Sequence, residues 1–378
     1  MSRAPLGYCT NVHAGPDLAR CLGNLERFAV EVKRRHSPHA PMGIGLWLAN
    51  EGGREVYQQH RAEELRVWLA DHGLVPFTFN GFPYGDFHQP VVKHAVYRPE
   101  WWTSERTNYT MTLAAILNHI LPGRMPGSIS TLPIAWPPAT PEQLDRAGAE
   151  LASLARFLQA FEGETGRLIH VGIEPEPGCV LDHAADVVDF FERHVLPWGD
   201  EHAIRRHLRV CHDVCHAAVM FEDQAAVLDS YRRAGLLVGK VQVSSAVGVD
   251  LSKSEDPDAA LAQLAAFDEP RYLHQTMVRH ADGSLAFHED LPLALAGPRG
   301  VEYRVHFHVP IHLERFGHLD AMQGQIRDCL AALGPGECDH FEVETYAWGV
   351  LPTELRVPDL ATGIAREMDW LATAMPPE

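Results

Sequence analysis

The stretch that decides the fold runs from Thr140 to Glu176 and closes on Leu168-Ile169-His170-Val171-Gly172-Ile173-Glu174-Pro175-Glu176. Upstream of it, Leu144, Ala147, Leu151, Leu154, Ala155, Leu158 and Phe161 recur at helical spacing, which predicts an amphipathic helix from Pro141 to Phe161. Thr140-Pro141-Glu142-Gln143 supplies a capping box with proline in the first turn. The short apolar run that follows reads as a strand. Alternate strand residues face opposite sides, so His170, Gly172, Glu174 and Glu176 share one face. Glu174 and Glu176 each precede a proline, which holds both extended and aims their carboxylates the same way.

Working outward, the same strand–loop–helix unit repeats. Strands are expected at Gly7–Val12, Gly43–Leu48, Val75–Asn80, Ser128–Leu132, Leu168–Glu174, Leu208–Asp213, Val238–Ser244, Tyr303–Val309 and Phe341–Tyr346. Helices are expected at about Asp17–Arg35, Glu55–His72, Trp101–Ile120, Ala184–His194, Asp223–Ala234 and Pro257–Phe267. This alternation predicts an α/β fold, a (β/α)8 TIM barrel, with a doubly wound open sheet as the alternative. The chain is read as one TIM-barrel domain over residues 1–378. A helix and a β-hairpin, at about 250–302, are inserted between the seventh and eighth barrel strands. His280-Ala281-Asp282-Gly283 marks the hairpin turn. Tyr303–Val309 is expected to extend that connection.

Composition narrows the function classes. Hydrophobic residues make up 46%, enough for a large core. No window approaches a membrane span, and Met1–His13 has no apolar leader core, so a cytoplasmic protein with no membrane insertion is expected. Lys plus Arg total 32 against 50 Asp plus Glu, a net charge of −18 that repels nucleic acid. Lys33-Arg34-Arg35 is too short to offset it. The seven cysteines include no C-x-x-C pair and are read as reduced thiols. No phosphate-binding glycine loop follows the first strand, and no G-x-S-x-G elbow exists.

Polar residues collect on one parity of the strands, the parity that would face a barrel lumen. They are Glu174 and Glu176, Lys240 and Gln242, His306 and His308, Glu344, and Asn80. His306 and His308 stand opposite Val305, Phe307 and Val309. Asp213-Val214-Cys215-His216 adds a D-x-x-H element at a strand end, where an oxygen and an imidazole can share one cation. After the third strand, Asn80-Gly81-Phe82-Pro83-Tyr84-Gly85-Asp86-Phe87-His88 suits a lid over a small polar ligand. Asn80, Tyr84, Asp86 and His88 are its candidate ligand contacts, with Glu176, Lys240 and His306 from the strands.

These residues resemble the xylose isomerase-like barrels, which include sugar isomerases, epimerases and abasic-site nucleases. More closely, the sequence is similar to the EboE-type metabolite traffic proteins. The matching stretches are Tyr8–His13, Phe77–His88, Gly127–Pro133, Glu174–Cys179, Cys211–His216 and Lys240–Ala246. The resemblance implies a divalent metal, Mn2+, Mg2+ or Zn2+, on Glu174, Asp213 or His216, Gln242 and Glu344. Glutamine at Gln242, where many relatives have histidine, favours Mn2+ or Mg2+. His306-x-His308 resembles a D-x-H element that binds further zinc ions in the nucleases, so His308 joins the metal set and a second metal stays open. Glu174, Glu344 and His216 are the expected catalytic groups. The implied activity is a sugar or polyol isomerase or epimerase acting on a small polar, sugar or cyclitol-like metabolite. A non-catalytic carrier and a metal-dependent phosphoesterase or nuclease are the alternatives.

Overall fold

The computed structural model describes residues 6–13 and 15–375. Its strands, in chain order, are β1 (Gly7–Tyr8), β2 (Met42–Leu46), β3 (Leu74–Asn80), β4 (Gly127–Thr131), β5 (Ile169–Ile173), β6 (Leu208–Asp213) and β7 (Val238–Val243). They continue as β8 (Val247–Asp250), β9 (Thr276–Arg279), β10 (Leu285–His288), β11 (Glu302–Val305), β12 (Arg315–Phe316), β13 (Leu319–Ala321) and β14 (Phe341–Val343).

Eight of these strands form a parallel sheet in the order β1-β14-β7-β6-β5-β4-β3-β2. A parallel bridge between Cys9 and Gly45 joins the two ends, so the sheet closes into a barrel. Helices connect the strands, as parallel crossovers require. The longest, Pro141–Thr165, starts on the Thr140–Gln143 capping box and stops at Gly166 in a left-handed conformation, φ 69°. Its Ala147, Leu151, Leu154, Ala155 and Leu158 bury against the outer faces of the strands, alongside Val171, Ile173, Val241, Val243 and Phe341. The apolar parity of each strand therefore faces the helices, and the polar parity fills the lumen.

Some lumen contacts cross the barrel and others join neighbouring strands. Lys240 of β7 donates to Ser130 Oγ of β4 at 3.2 Å. The His340 ring pairs with Ser128 Oγ at 2.7 Å, and Ser128 donates on to Thr78 Oγ1 at 2.8 Å.

The insertion is larger than a hairpin. The hairpin is present, β9 and β10 pairing antiparallel with Leu285 opposite Arg279. It belongs to a six-stranded antiparallel sheet, order β10-β9-β11-β8-β13-β12, that occupies the connection from Val247 to Ala321. Short strands separated by long loops carry no local period, so β8, β12 and β13 leave little trace in the sequence. Tyr303–Val309 also differs from expectation. Only Glu302–Val305 is a strand, paired with β8 and β9 outside the barrel. Beyond it the chain turns back to the barrel mouth, where Val309 N donates to Ser245 O at 3.0 Å.

Candidate metal and substrate site

The C-terminal ends of the barrel strands deliver four acidic side chains to one buried region. Glu174 follows β5, its backbone N–H bonded to Thr131 O at 2.9 Å. Asp213 ends β6 and Glu344 follows β14, its N–H on Val243 O at 3.1 Å. Each of these three offers one oxygen, and the three oxygens lie within 4.8 Å of one another. Glu176 stands beside them. All four are at most 5% exposed.

The neighbours fix these groups from one side only. Asp213 Oδ1 accepts from His216 N at 2.9 Å and from Ser244 Oγ at 2.7 Å, leaving Oδ2 without a hydrogen bond. Glu344 Oε1 accepts from Asn11 Nδ2 and Asn80 Nδ2, both at 2.7 Å. Glu174 Oε2 has no partner, and neither polar atom of Gln242 has one. Gln242 is the β7 register neighbour of Asp213. Glu176 Oε1 accepts from Tyr97 Oη at 2.8 Å and Gln275 Nε2 at 3.0 Å.

Three imidazoles complete the cluster, and their tautomers follow from their partners. His216 Nδ1 lies 2.7 Å from Pro175 O, and His308 Nδ1 lies 2.5 Å from Glu344 O. Carbonyl oxygens accept, so both Nδ1 atoms carry hydrogen. His306 Nδ1 lies 2.8 Å from Gln275 Oε1, and the Gln275 amide nitrogen is the one donating to Glu176. His306 Nδ1 therefore also carries hydrogen. In neutral rings all three Nε2 lone pairs point inward. His308 Nε2 is partnerless and 4.0 Å from Asp213 Oδ2. The Nε2 atoms of His216 and His306 face each other at 3.2 Å.

Burial, reinforced by mutual repulsion, pushes the Glu174 and Glu344 carboxyls well above their ordinary range. Burial acts the same way on Asp213, but His216 and His308 outweigh it and hold that carboxyl below its usual value. Burial drives His306 well down and His308 to about 4, so both rings are neutral near pH 7.

These facts fit a divalent cation. Glu174 Oε2, Asp213 Oδ2, Gln242 Oε1 and His308 Nε2 are buried acceptors without donors. Nitrogen-bound hydrogen on the far side of each imidazole is the arrangement that orients histidine toward a metal. A proton or a cation is needed between the His216 and His306 lone pairs.

A cavity of about 60 Å³ opens on this cluster. Asn11, Asn80, Glu174, Glu176, His216, His306, His308 and Glu344 line its inner end. Phe87, Val92, Lys93, Val96 and Tyr97 from the loop after β3 cover it, together with Tyr272, Leu273 and Tyr346. Backbone N–H groups of Val92 and Lys93 tie that loop to Arg271 O at 2.7 and 3.0 Å.

Several expected ligand contacts lie elsewhere. Asp86 caps its own loop by accepting from His88 N at 2.9 Å, and His88 Nε2 is 2.6 Å from Asn11 O; neither lines the cavity. Tyr84 packs on Tyr109 and Arg106 instead. Lys240 sits deeper in the lumen, 2.5 Å from Glu342. The parity that selected Lys240 is right for the lumen, but its strand level is below the mouth. The sequence reading did not single out Asn11, Tyr272 or Gln275. Asn11 carried a signal, a polar residue near the end of an expected strand; Tyr272 and Gln275 sit in the connection between the seventh and eighth barrel strands, whose position only the fold reveals.

No family model matches the chain, and no curated protein matches it. Solved structures resemble it at low identity. A probable 3-DHS dehydratase, AsbF, from Bacillus anthracis has TM-score 0.47 at 13% identity, over 97% of this chain and 98% of that one. A xylose isomerase domain-containing protein from Salmonella typhimurium has TM-score 0.46 at 13% identity, over 99% and 98%. The IolI protein with a bound zinc atom has TM-score 0.46 at 11% identity, over 98% and 96%. The strand topology and the acceptor cluster define this chain as a (β/α)8 barrel with a candidate metal centre at its C-terminal mouth.

Proposed function

We propose that the chain is a divalent-metal-dependent isomerase or epimerase of the xylose isomerase-like kind, acting on a small metabolite with a sugar- or cyclitol-type oxygen headgroup. Its sequence motifs also resemble those of the metabolite traffic proteins. The observation that carries this reading is the buried cluster in which carboxylate and imidazole ligand atoms converge, with Glu174 Oε2, Asp213 Oδ2 and His308 Nε2 lacking any donor. Glu174, Asp213, Gln242 and Glu344 would hold the cation, with His216 and His308 beside it. When bound, such a cation polarises a substrate oxygen.

The chain's own groups then have defined tasks. Asn11 and Asn80 fix the Glu344 carboxylate by one oxygen. Glu174, lacking a hydrogen-bond donor on Oε2, is placed to take a proton from carbon or return it. His216, held by Pro175 O, presents its lone pair to the same space. The loop after β3 and Tyr272 exclude water. Among the described residues lining the cavity, Lys93 is the only lysine or arginine, which disfavours a phosphodiester backbone as ligand.

Metal analysis after Mn2+ loading, with deuterium wash-in from D2O into a panel of ketoses and cyclitols, tests the reading. Bound metal in wild type, its loss in Glu174→Gln, and exchange at a carbon beside the hydroxyl are expected. A stoichiometry of two would assign His216, His306 and His308 to a second cation; a stoichiometry of one leaves them to substrate. Protein that retains no metal overturns the proposal.

A further inference from the structure

The cavity has two unlike ends. Its inner end is the acceptor cluster. Its outer wall is formed by Phe82, Phe87, Val92, Val96, Tyr272 and Leu273. Three rings from distant parts of the chain pack together there, Tyr346 edge to face with the other two and Phe87 tilted against Tyr272. Phe87 and Tyr272 centroids are 4.9 Å apart, Phe87 and Tyr346 5.4 Å, and Tyr272 and Tyr346 5.1 Å.

Most donors around the cavity are already engaged, and the partnerless acceptors, Asn11 Oδ1 among them, lie at its inner end. Tyr272 Oη donates to Phe87 O at 3.2 Å. Tyr97 Oη donates to Glu176 and accepts from Gln275 Nε2 at 2.9 Å. The amides of Asn11 and Asn80 both donate to Glu344, and Lys93 Nζ pairs with Asp290 at 2.5 Å. A molecule with hydroxyls on every carbon would bury several of them here without partners, each at a desolvation cost. A flat apolar body would instead meet ring faces and aliphatic carbon.

We propose that the site takes a metabolite with one oxygen-bearing end, of α-hydroxycarbonyl or vicinal-diol type, joined to an apolar body about one ring in size, and that it discriminates against free sugars and cyclitols. This rests on the metal reading above, which accounts for the oxygen-bearing end.

Three probes that share the α-hydroxyketone unit separate the possibilities: α-hydroxyacetophenone, hydroxyacetone and D-fructose. Their binding to the full chain is measured by calorimetry, with and without Mn2+, after titration of Mn2+ alone. α-Hydroxyacetophenone is expected to bind at least tenfold more tightly than either other probe, the scale on which an apolar pocket rewards extra carbon. Tyr272→Ser should shrink that ratio to below threefold. If Tyr272→Ser does not fold, Val96→Asn at the same wall reads the same ratio. Equal or tighter binding of D-fructose by wild type overturns the inference. Failure of Mn2+ to bind would overturn the metal reading alone, because the probe ratio is still read in the metal-free protein.

Discussion

Glu342 within β14 and Glu344 just past its end stand two residues apart, and both are almost wholly buried, yet they meet opposite surroundings. Glu342 lies in the lumen 2.5 Å from the Lys240 ammonium. Burial works against that ammonium, but Glu342 outweighs it and holds Lys240 protonated above its ordinary range. The fit needs Gly45, because a Cβ there would lie 1.2 Å from a Glu342 oxygen. Glu344, one layer up, meets Glu174 and Asp213 instead, with two neutral amides as its donors. The lower layer carries its own cation; the upper layer is built to receive one. A buried carboxylate among other carboxylates is tolerable only if protonated or countered by positive charge.

The largest effect should come from breaking the lower layer. Lys240→Met leaves Glu342 buried without its partner and should cost about 3–5 kcal/mol in denaturant unfolding. Lys240→Met with Glu342→Leu should recover most of that loss. A single variant as stable as wild type would show that the two layers do not differ as described.

The upper layer should respond oppositely. Glu344→Gln removes a repelling charge, so the metal-free protein should keep or gain stability. Wild type should gain about 2.7 kcal/mol at a metal concentration a hundredfold above Kd, and the variant should gain far less. Thermal unfolding with and without Mn2+ measures both. A metal-independent melting temperature in wild type would remove the distinction.

Glu367 sharpens the comparison as a third buried glutamate, one with neither cation nor anionic neighbours. Its oxygens accept from Thr345 Oγ1 at 2.6 Å, Ile311 N at 3.0 Å and Trp348 Nε1 at 3.1 Å. Burial outweighs these donors and raises its carboxyl from 4.5 to about 7. The unfolded chain loses this proton first as pH rises, so stability falls between about pH 5 and 7 by about 2 kcal/mol. Glu367→Gln should lack that component, so the wild-type advantage over the variant should shrink by this amount across the window. Parallel pH profiles for the pair would refute the shifted carboxyl.

The barrel was legible because its signals are local. Leu208–Asp213 matches its expected bounds, and most other barrel strands differ from theirs by one or two residues. Strand parity also located Glu174, Gln242 and Glu344, whose positions depend only on alternation and on closure. Asp86 and His88 were not separable from cavity residues by sequence, because a loop's polar groups serve its own backbone as readily as a ligand. Expected strand parity put His306 and His308 on one face; the chain leaves the strand at Val305, and both reach the mouth through a turn.

The bond from Asn11 to Glu344 spans 333 positions, and β1 pairs with β14. At a synthesis rate of about 5–20 residues per second, β1 waits on the order of tens of seconds for its partner. Until β14 emerges, Glu174, Glu176 and Asp213 lack the fourth carboxylate, Glu344. Their crowding is greatest once the barrel shuts and Glu344 joins them. The electrostatic cost of the site therefore falls on the last step of assembly, where a cation captured at that moment would hasten closure.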